Sequence, residues 1–370
     1  MEKFCLFCGE KPQLKNNEHV IPMWLIEITG NPKRIARFGY NQYLSKMRRE
    51  RTFSFNAFKF PSCETCNQKY SNLEMTVKSI MNRILADDSI SSKDFSILLD
   101  WFDKVRVGLW LDFQYLDKNP LGITPKFHIE KRIGVNDRML GIFKADDNTK
   151  RLNFAGCDLL SFRYTPSCFS LQINNYCFIN ISYHDLFSRR IGFPYPIESF
   201  MLPDDKELSL FTSGRNRVMR PLLKKTFNIR GTELYQPMFR HRNFDPQAGE
   251  YYDTQYVREN SMIWEQGVGK VFIESSSQLQ EYPDSPSKMW LPSTTYEPQA
   301  LPFKMQILTL EWQTYVDDLA PSAKKLPQKD RQRVLRLKSL KRKHNTKLIE
   351  ILRKEAHKIG MPPFVGVQEG

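Results

Sequence analysis

Two short segments, CLFCG at residues 5–9 and CETCN at residues 63–67, decide the fold of the first part of this chain. Each holds two cysteines at C-x-x-C spacing, and the turn between such cysteines aims both sulfur atoms at one point. Two such pairs predict a closed tetrahedral Zn²⁺ site rather than four unrelated cysteines. The predicted zinc ligands are Cys5, Cys8, Cys63 and Cys66. Such a site lets a segment with little apolar core fold, because metal binding contributes to the folding free energy.

Between the two cysteine pairs, residues 17–22 read NEHVIP. Glu18 and His19 are adjacent, so in an extended segment their side chains point to opposite faces. Asn67 directly follows the last cysteine, which places an amide oxygen at a fixed distance from the zinc. A hard cation such as Mg²⁺ accepts a carboxylate, an amide oxygen, several waters and a substrate phosphate. Glu18 and Asn67 are therefore candidate ligands for a second metal.

The order C-x-x-C, EHVIP and C-x-x-C-N resembles the HNH endonucleases, which have a ββα-metal fold with an added zinc knuckle. The resemblance covers residues 1–90, about a quarter of the chain. It implies that Glu18 and Asn67 bind the catalytic Mg²⁺ or another divalent cation, and that His19 activates water. Three positions depart from the family pattern. Glu18 stands where the first motif residue is often aspartate or histidine. The middle asparagine of the family falls at Phe58, with Asn56 the nearest candidate, and its final histidine falls at Ser71.

Residues 68–86 have apolar side chains at helical spacing, which predicts a helix after the second cysteine pair. Glu74 lies on nearly the same face of this helix as Asn67. It is also about 10.5 Å further along the axis, at about 1.5 Å per residue, which is too far for both side chains to bind one ion directly. Glu74 is expected to support the site indirectly or to lie on the surface.

Positive charge is concentrated in two places in a chain of formal net charge +14. The first is the segment from residue 321 to 358, which has fourteen lysines and arginines against three acidic residues. Val334, Leu337, Leu340, Leu348, Ile351 and Leu352 recur there at helical spacing, which predicts a basic amphipathic helix. The second is the insert between the cysteine pairs, where aromatic residues alternate with cations. This composition is typical of proteins that bind nucleic acid.

The predicted nucleic-acid-binding residues are Arg34, Arg37, Arg48, Arg49, Arg51, Arg333, Arg336, Lys341 and Arg342. Double-stranded DNA is the expected partner, ahead of RNA. A solvated surface is the alternative for each cluster. The C-terminal helix could instead dock a protein partner through its apolar stripe.

The length of 370 residues predicts a chain in more than one domain, and we divide it into three parts. The mixture of helix and strand patterns predicts the α+β class. Residues 1–90 form the nuclease module, residues 91–320 a mixed α/β-rich domain for targeting or substrate binding, and residues 321–370 a basic helical tail. In the middle part, Ser91 and Asp94 form a capping box that begins a helix. Two strands at 168–173 and 176–182 flank a tight turn at Asn174-Asn175. A proline-rich connector over 282–302 is followed by a strand containing Met305, Ile307 and Thr309.

No apolar run is long enough to span a membrane. The chain enters the first cysteine pair almost at once, so we expect no secretory leader. Cys157, Cys168 and Cys177 read as buried free thiols of a cytoplasmic protein. These patterns favour a metal-dependent endonuclease that hydrolyses phosphodiester bonds. The alternative is a zinc-stapled nucleic-acid-binding protein without catalysis, in which Glu18 and His19 only pack against the fold.

Overall fold

The computed structural model describes residues 4–11, 16–40, 50–54, 59–116, 128–201, 203, 207–214, 231–239, 255–263, 266–275, 278–285, 295–319 and 327–358. Within these residues the chain is a mixed α+β protein. The helices are α1 (Met23–Ile28), α2 (Glu64–Leu85), α3 (Ser92–Leu116), α4 (Leu160–Tyr164), α5 (Leu186–Ile191), α6 (Gln255–Asn260), α7 (Ala300–Leu319) and α8 (Gln328–Lys358). The strands are β1 (Asn16–His19), β2 (Ile35–Tyr40), β3 (Glu50–Ser54), β4 (Lys59–Ser62), β5 (Arg138–Ala145), β6 (Leu152–Ala155), β7 (Cys168–Ile173), β8 (Tyr176–Ser182), β9 (Pro196–Met201), β10 (Glu207–Phe211), β11 (Thr232–Gln236), β12 (Ser261–Ile263), β13 (Val268–Gly269), β14 (Phe272–Ser275), β15 (Gln278–Glu281) and β16 (Thr295–Tyr296).

The N-terminal part is built from a strand pair and a helix. Strand β1 pairs antiparallel with β4, with Glu18 opposite Phe60 and His19 opposite Lys59. Helix α2 begins directly after β4, and Cys63 is its N-cap. The predicted helix over 68–86 is therefore confirmed, although it begins four residues earlier. The basic insert holds a second hairpin, in which β2 pairs with β3.

The large sheet has the strand order β15-β14-β11-β5-β8-β7-β6, with the short β16 added parallel to β5. The predicted hairpin is confirmed, because β7 and β8 have the predicted bounds and pair antiparallel around Asn174-Asn175. Asn174 has φ +53, in the left-handed region that asparagine tolerates better than most residues. Both strands are buried along their whole length, so neither face of this part of the sheet contacts solvent.

Alternate residues of the sheet pack against different helices. Leu140, Ile142 and Phe178 share a hydrophobic cluster with α3 and the N-terminal part. Met139, Phe143 and Ile179 belong to a second cluster with α7. This separation follows from the two-residue period of a strand, which sends successive side chains to opposite faces. The result is a three-layer arrangement with α3 on one side of the sheet and α7 on the other.

The N-terminal part shares its core with α3 and the sheet. Buried residues from Cys5 to Ile84 lie in the same hydrophobic cluster as those from Phe95 to Phe178. Helix α3 begins at the predicted capping box, where the N–H of Ser91 donates to Asp94 Oδ2 at 3.0 Å and the N–H of Asp94 donates to Ser91 Oγ at 3.1 Å. The predicted boundary at residue 90 thus falls between two helices, α2 and α3, that pack against each other.

The predicted strand at Met305, Ile307 and Thr309 is wrong, because these residues lie in the middle of α7. All three are buried. Helix α7 packs against the sheet, α4 and α8, so apolar side chains occupy almost every side of it and no helical stripe stands out. Pro302 lies in its first turn, where the missing N–H has no intrahelical partner to lose.

A helix in the basic C-terminal segment is confirmed, and its predicted apolar stripe is packed only in part. Val334, Leu337, Leu348 and Leu352 are half-buried. Leu340 and Ile351 are exposed, whereas Lys341, Asn345 and Ala356 are buried. Polar groups of the neighbouring helices explain this orientation. The Lys341 ammonium donates to Asp317 Oδ1 at 2.7 Å, and the Asn345 amide donates to Thr314 Oγ1 at 3.0 Å.

Cys157, Cys168 and Cys177 are buried free thiols, as predicted. Among the described residues, no helix is long and apolar enough to cross a membrane.

Candidate metal centre and catalytic site

The four predicted cysteines meet at one point. The Sγ atoms of Cys5, Cys8, Cys63 and Cys66 all lie within 4.8 Å of one another. Those of Cys8 and Cys63 are 3.9 Å apart. Four sulfur atoms at about 2.3 Å from a tetrahedral Zn²⁺ would be about 3.8 Å apart, so the cluster has the dimensions of a zinc site. These four residues could hold a metal ion such as zinc.

Local turns bring the sulfur atoms together. The backbone N–H of Gly9 donates to Cys5 O at 2.8 Å, and Gly9 has φ +80, which a side chain would strain. On the other side, the N–H of Cys66 donates to Cys63 Sγ at 3.4 Å in the first turn of α2. The two turns are joined because the N–H of Leu6 donates to Pro61 O of β4 at 3.0 Å.

Two of the four thiols are poorly suited to ionise without a metal, whereas hydrogen bonds from its neighbours lower the pKa of Cys63 despite its burial. Burial raises the pKa of Cys66 well above its usual range, and its neighbouring thiols add to the effect. Burial also raises the pKa of Cys8. A bound divalent cation would reverse this preference, because thiolates are the ligands and binding releases their protons. Metal binding at this cluster should therefore weaken as the pH falls.

Beside the cysteine cluster, two glutamates converge on one buried lysine. The Lys104 ammonium, from α3, donates to Glu18 Oε1 at 2.9 Å and to Glu74 Oε1. The Lys104 side chain is 0% exposed, and those of Glu18 and Glu74 are 12% and 14% exposed. Burial raises the pKa of Glu74 to about 7, against the opposing pull of Lys104. Glu74 is thus linked to Glu18 through Lys104. Of the two positions expected for it, an indirect one beside Glu18 agrees with this contact, and a surface position does not.

His19 lies next to Glu18 on β1 and is half-buried. Burial lowers its pKa, and the charges of Lys59 and Lys104 lower it further. Its imidazole is therefore neutral at neutral pH. The Nε2 atom is shielded and has no hydrogen-bond partner among the residues that the structure describes. An ordered water is the usual partner of such an atom.

Asn67 lies in the first turn of α2, directly after Cys66. Its backbone N–H donates to Cys63 O at 2.9 Å, and it is half-buried. Within the described part of the chain, no hydrogen bond joins its side chain to Glu18 or His19. The contact that the structure shows for Glu18 is with Lys104, which it shares with Glu74. Asn56 and Phe58, where the family pattern departs, lie outside the described residues, and Ser71 lies in α2.

The predicted nucleic-acid-binding residues divide into three groups. Arg333 and Arg336 are exposed on α8, and Arg342 is exposed although it pairs with Asp318. Arg37 and Arg51 lie in the β2–β3 hairpin with undescribed side chains, and Arg48 and Arg49 lie outside the described residues.

Arg34 and Lys341 require a correction, because each has a structural partner. The Arg34 guanidinium donates to Ile26 O at 3.0 Å and to Thr29 Oγ1 at 2.6 Å, at the C-terminal end of α1. Lys341 is 6% exposed and paired with Asp317. Neither is placed to contact a phosphate.

The sequence interpretation missed Lys104. A lysine close to Trp101, Phe102 and Val105 in α3 was the available signal, since a buried lysine requires an acidic partner. The partners themselves could not be read from the sequence, because Glu18 and Glu74 lie 86 and 30 residues away.

Comparisons of this chain with protein-family models, with curated proteins and with solved structures found no match.

Proposed function

We propose that this chain is a metal-dependent endonuclease of the HNH type, which hydrolyses phosphodiester bonds of nucleic acid, with DNA favoured over RNA. Its nuclease part would be a ββα-metal module formed by β1, β4 and α2 and stapled by a structural Zn²⁺ on the four cysteines. The antiparallel pairing of β1 with β4 and the start of α2 at Cys63 are consistent with that module.

The observation that carries the proposal is the state of His19. Its lowered pKa keeps the imidazole neutral, and its shielded Nε2 has no partner among the described residues. A neutral imidazole with a free lone pair beside a carboxylate is what a general base requires. In the proposed reaction, Nε2 accepts a proton from the water that attacks phosphorus.

Glu18 has a suitable oxygen for a hard cation, because only Oε1 is engaged by Lys104. Asn67 would supply an amide oxygen after a side-chain adjustment. Glu74 is the carboxylate that shares Lys104 with Glu18. Mg²⁺ or another divalent cation bound here would supply charge to offset that on the phosphate and the departing oxygen. Lys104 acts as a positioning residue that fixes the orientation of Glu18.

A non-catalytic nucleic-acid-binding protein is the second candidate, and one observation favours it. The Lys104 ammonium already neutralises Glu18 and Glu74, as expected for residues that only stabilise the fold. In that case the cysteine cluster would staple a binding surface, and the exposed cations of α8 would contact phosphates.

Cleavage of supercoiled plasmid with and without Mg²⁺ separates the two candidates. Wild-type protein should nick or cut the plasmid only with the metal, and His19→Ala should reduce the rate about 10²–10⁴-fold. Asn17→Ala is the matched control, because Asn17 is exposed on the same strand and two residues from His19. The control should retain wild-type activity. A His19→Ala rate within tenfold of wild type would contradict the role of His19.

The pH profile gives an independent check of the base. Since the pKa of His19 is lowered, its neutral form persists below the ordinary value of 6.5. The cleavage rate should therefore rise with pH through a midpoint below 6.5 and be level near neutrality. A midpoint above 6.5 would argue against His19 as the group that titrates.

A further inference from the structure

A cavity of about 610 Å³ lies on the other side of α3 from Glu18. It is lined by residues of α3, the segment from His128 to Asn136, the end of α4 and the end of β8. Its volume lies within the range of roughly 300–1,000 Å³ that small-molecule sites occupy. At about 100° per residue, Arg106 and Trp110 lie about 200° and 240° around α3 from Lys104, so the cavity and the glutamate pair use opposite faces of one helix.

The cavity wall is strongly basic. Its charged side chains are Arg106, Lys131, Arg132 and Arg163, and among the residues that the structure describes no aspartate or glutamate lines it. Arg106 is paired with Asp103 at 2.7 Å behind the wall. Burial lowers the pKa of Arg132, and the charge of Arg106 lowers it further, so two guanidinium groups face the same low-dielectric space. Such an arrangement favours an anion, and guanidinium groups suit phosphate oxygens in particular.

Aromatic rings complete the wall. The Arg132 guanidinium stacks 5.1 Å from the ring centroid of Trp110, and the rings of Tyr183 and His184 lie 4.6 Å apart. The ring of Tyr164 is 43% exposed at the edge of the cavity. Planar rings beside cations suit a ligand that combines a flat base with a phosphate.

From this combination we propose that the cavity binds a phosphorylated nucleoside, with the phosphate on Arg132 and Lys131 and the base against Tyr164. The ligand is a free mononucleotide or the 5′-phosphorylated end of a nucleic-acid strand, which share this chemistry. His128 and His184 both line this wall.

The cavity is tied to the cysteine cluster. The N–H of Ile129 donates to Leu6 O at 2.8 Å and that of Glu130 donates to Phe7 O at 3.1 Å, so the segment with Lys131 and Arg132 is fastened between Cys5 and Cys8. A side chain at Gly9 would clash with the imidazole of His128. Order in the cysteine cluster therefore sets the position of the basic wall.

Isothermal titration calorimetry on the full chain, without added divalent metal, tests the proposal. The probes are 2′-deoxyadenosine 5′-monophosphate, 2′-deoxyadenosine, and one single-stranded oligonucleotide with either a 5′-phosphate or a 5′-hydroxyl. The monophosphate should bind with 1:1 stoichiometry. Arg132→Gln should weaken it at least tenfold, because hydrogen bonds to charged groups contribute strongly. Lys93→Gln, which removes an exposed cation at the start of α3, should leave the affinity unchanged.

Tyr164→Leu provides a second variant that keeps an apolar side chain. Loss of base stacking should weaken the monophosphate roughly fivefold to 150-fold. A preference of the oligonucleotide for a 5′-phosphate would identify a strand end as the ligand, and binding of the monophosphate alone would identify a free nucleotide. Equal affinity for nucleoside and nucleotide, no binding of any phosphorylated probe, or an unchanged affinity in Arg132→Gln would overturn the proposal.

The test is independent of cleavage. His19→Ala should bind the monophosphate like wild type. Wild-type protein that binds the monophosphate but does not cleave plasmid would refute the nuclease proposal and leave this one standing. If Arg132→Gln loses nucleotide binding but still cleaves plasmid, the result would support both the nuclease proposal and the nucleotide-binding cavity.

Discussion

Lys104→Met should destabilise the protein strongly, because it removes the cation that lies between the carboxylates of Glu18 and Glu74. At the 2.9 Å distance from Lys104 to Glu18, the attraction is about 6 kcal/mol at an effective dielectric constant of about 20. Desolvation of the charges offsets part of this. Removal of one partner from a buried ion pair costs about 3–5 kcal/mol, because the other charge stays buried and unpaired. Methionine fills most of the volume, so a cavity contributes little.

The loss should depend on pH. Burial already raises the pKa of Glu74 to about 7, and removal of Lys104 would raise it further, since Lys104 is what lowers it. A carboxyl group with a raised pKa in the folded state destabilises the fold progressively as the pH rises from the unfolded-state pKa to the folded-state pKa. At pH 5.5 Glu74 binds a proton in the folded variant and only Glu18 stays uncompensated. The destabilisation should therefore be smaller at pH 5.5 than at pH 8.

Urea denaturation followed by circular dichroism at both pH values measures the effect. Lys93→Met, an exposed lysine at the start of the same helix, is the control and should change the free energy of unfolding by less than about 0.5 kcal/mol. Addition of Glu74→Gln to Lys104→Met should restore stability, with a coupling energy of about 1–3 kcal/mol. A loss below 1 kcal/mol at pH 8, or an equal loss at both pH values, would refute the assignment of Lys104 as a buried counter-ion.

Two further outcomes are expected. Elemental analysis should find about one zinc per chain in the wild type and in Cys177→Ser, but none in Cys63→Ser, because Cys63 belongs to the four-thiol cluster and Cys177 does not. Retained zinc in Cys63→Ser would exclude the site. The double variant Arg333→Gln and Arg336→Gln should lower the slope of log K against log[salt] for duplex DNA by about 1.8, if both exposed arginines contact phosphates. Lys78→Gln with Lys93→Gln removes the same charge elsewhere and should leave the slope unchanged; equal slopes in both double variants would remove α8 from the binding surface.

Features set by local chemistry could be predicted from the sequence. The convergence of four thiols follows from two C-x-x-C turns, the β7–β8 hairpin from Asn174, and the start of α3 from the reciprocal bonds of Ser91 and Asp94. Each turn, the hairpin and the helix start depend on residues a few positions apart, and the ligand number of zinc implies that the two turns meet.

Features set by tertiary packing could not be predicted from the sequence. Helix α7 is buried on nearly all sides, so its residues 305–309 show the alternation of a strand as well as the spacing of a helix. Lys341 and Asn345 of α8 are buried because they donate hydrogen bonds to Asp317 and Thr314. Those acceptors belong to another helix, α7. The link from Glu74 to Glu18 could not be predicted, because the lysine that joins them, Lys104, lies in another helix.

The buried charges of α3 have a consequence for how the three layers fit together. Lys104 faces β1 and α2, where its acceptors are Glu18 and Glu74. On another side, Asp103 binds Arg106 at 2.7 Å and also Arg138 of β5 at 3.4 Å. A rotation of α3 by one residue, about 100°, would leave both sets unpaired in an apolar core, although its apolar side chains could still be buried. Buried apolar side chains lie on several sides of α3, so apolar packing alone would tolerate more than one rotation. We therefore expect the ion pairs to select one of them. That choice places Glu18 beside His19 on one side of α3 and opens the basic cavity on the other.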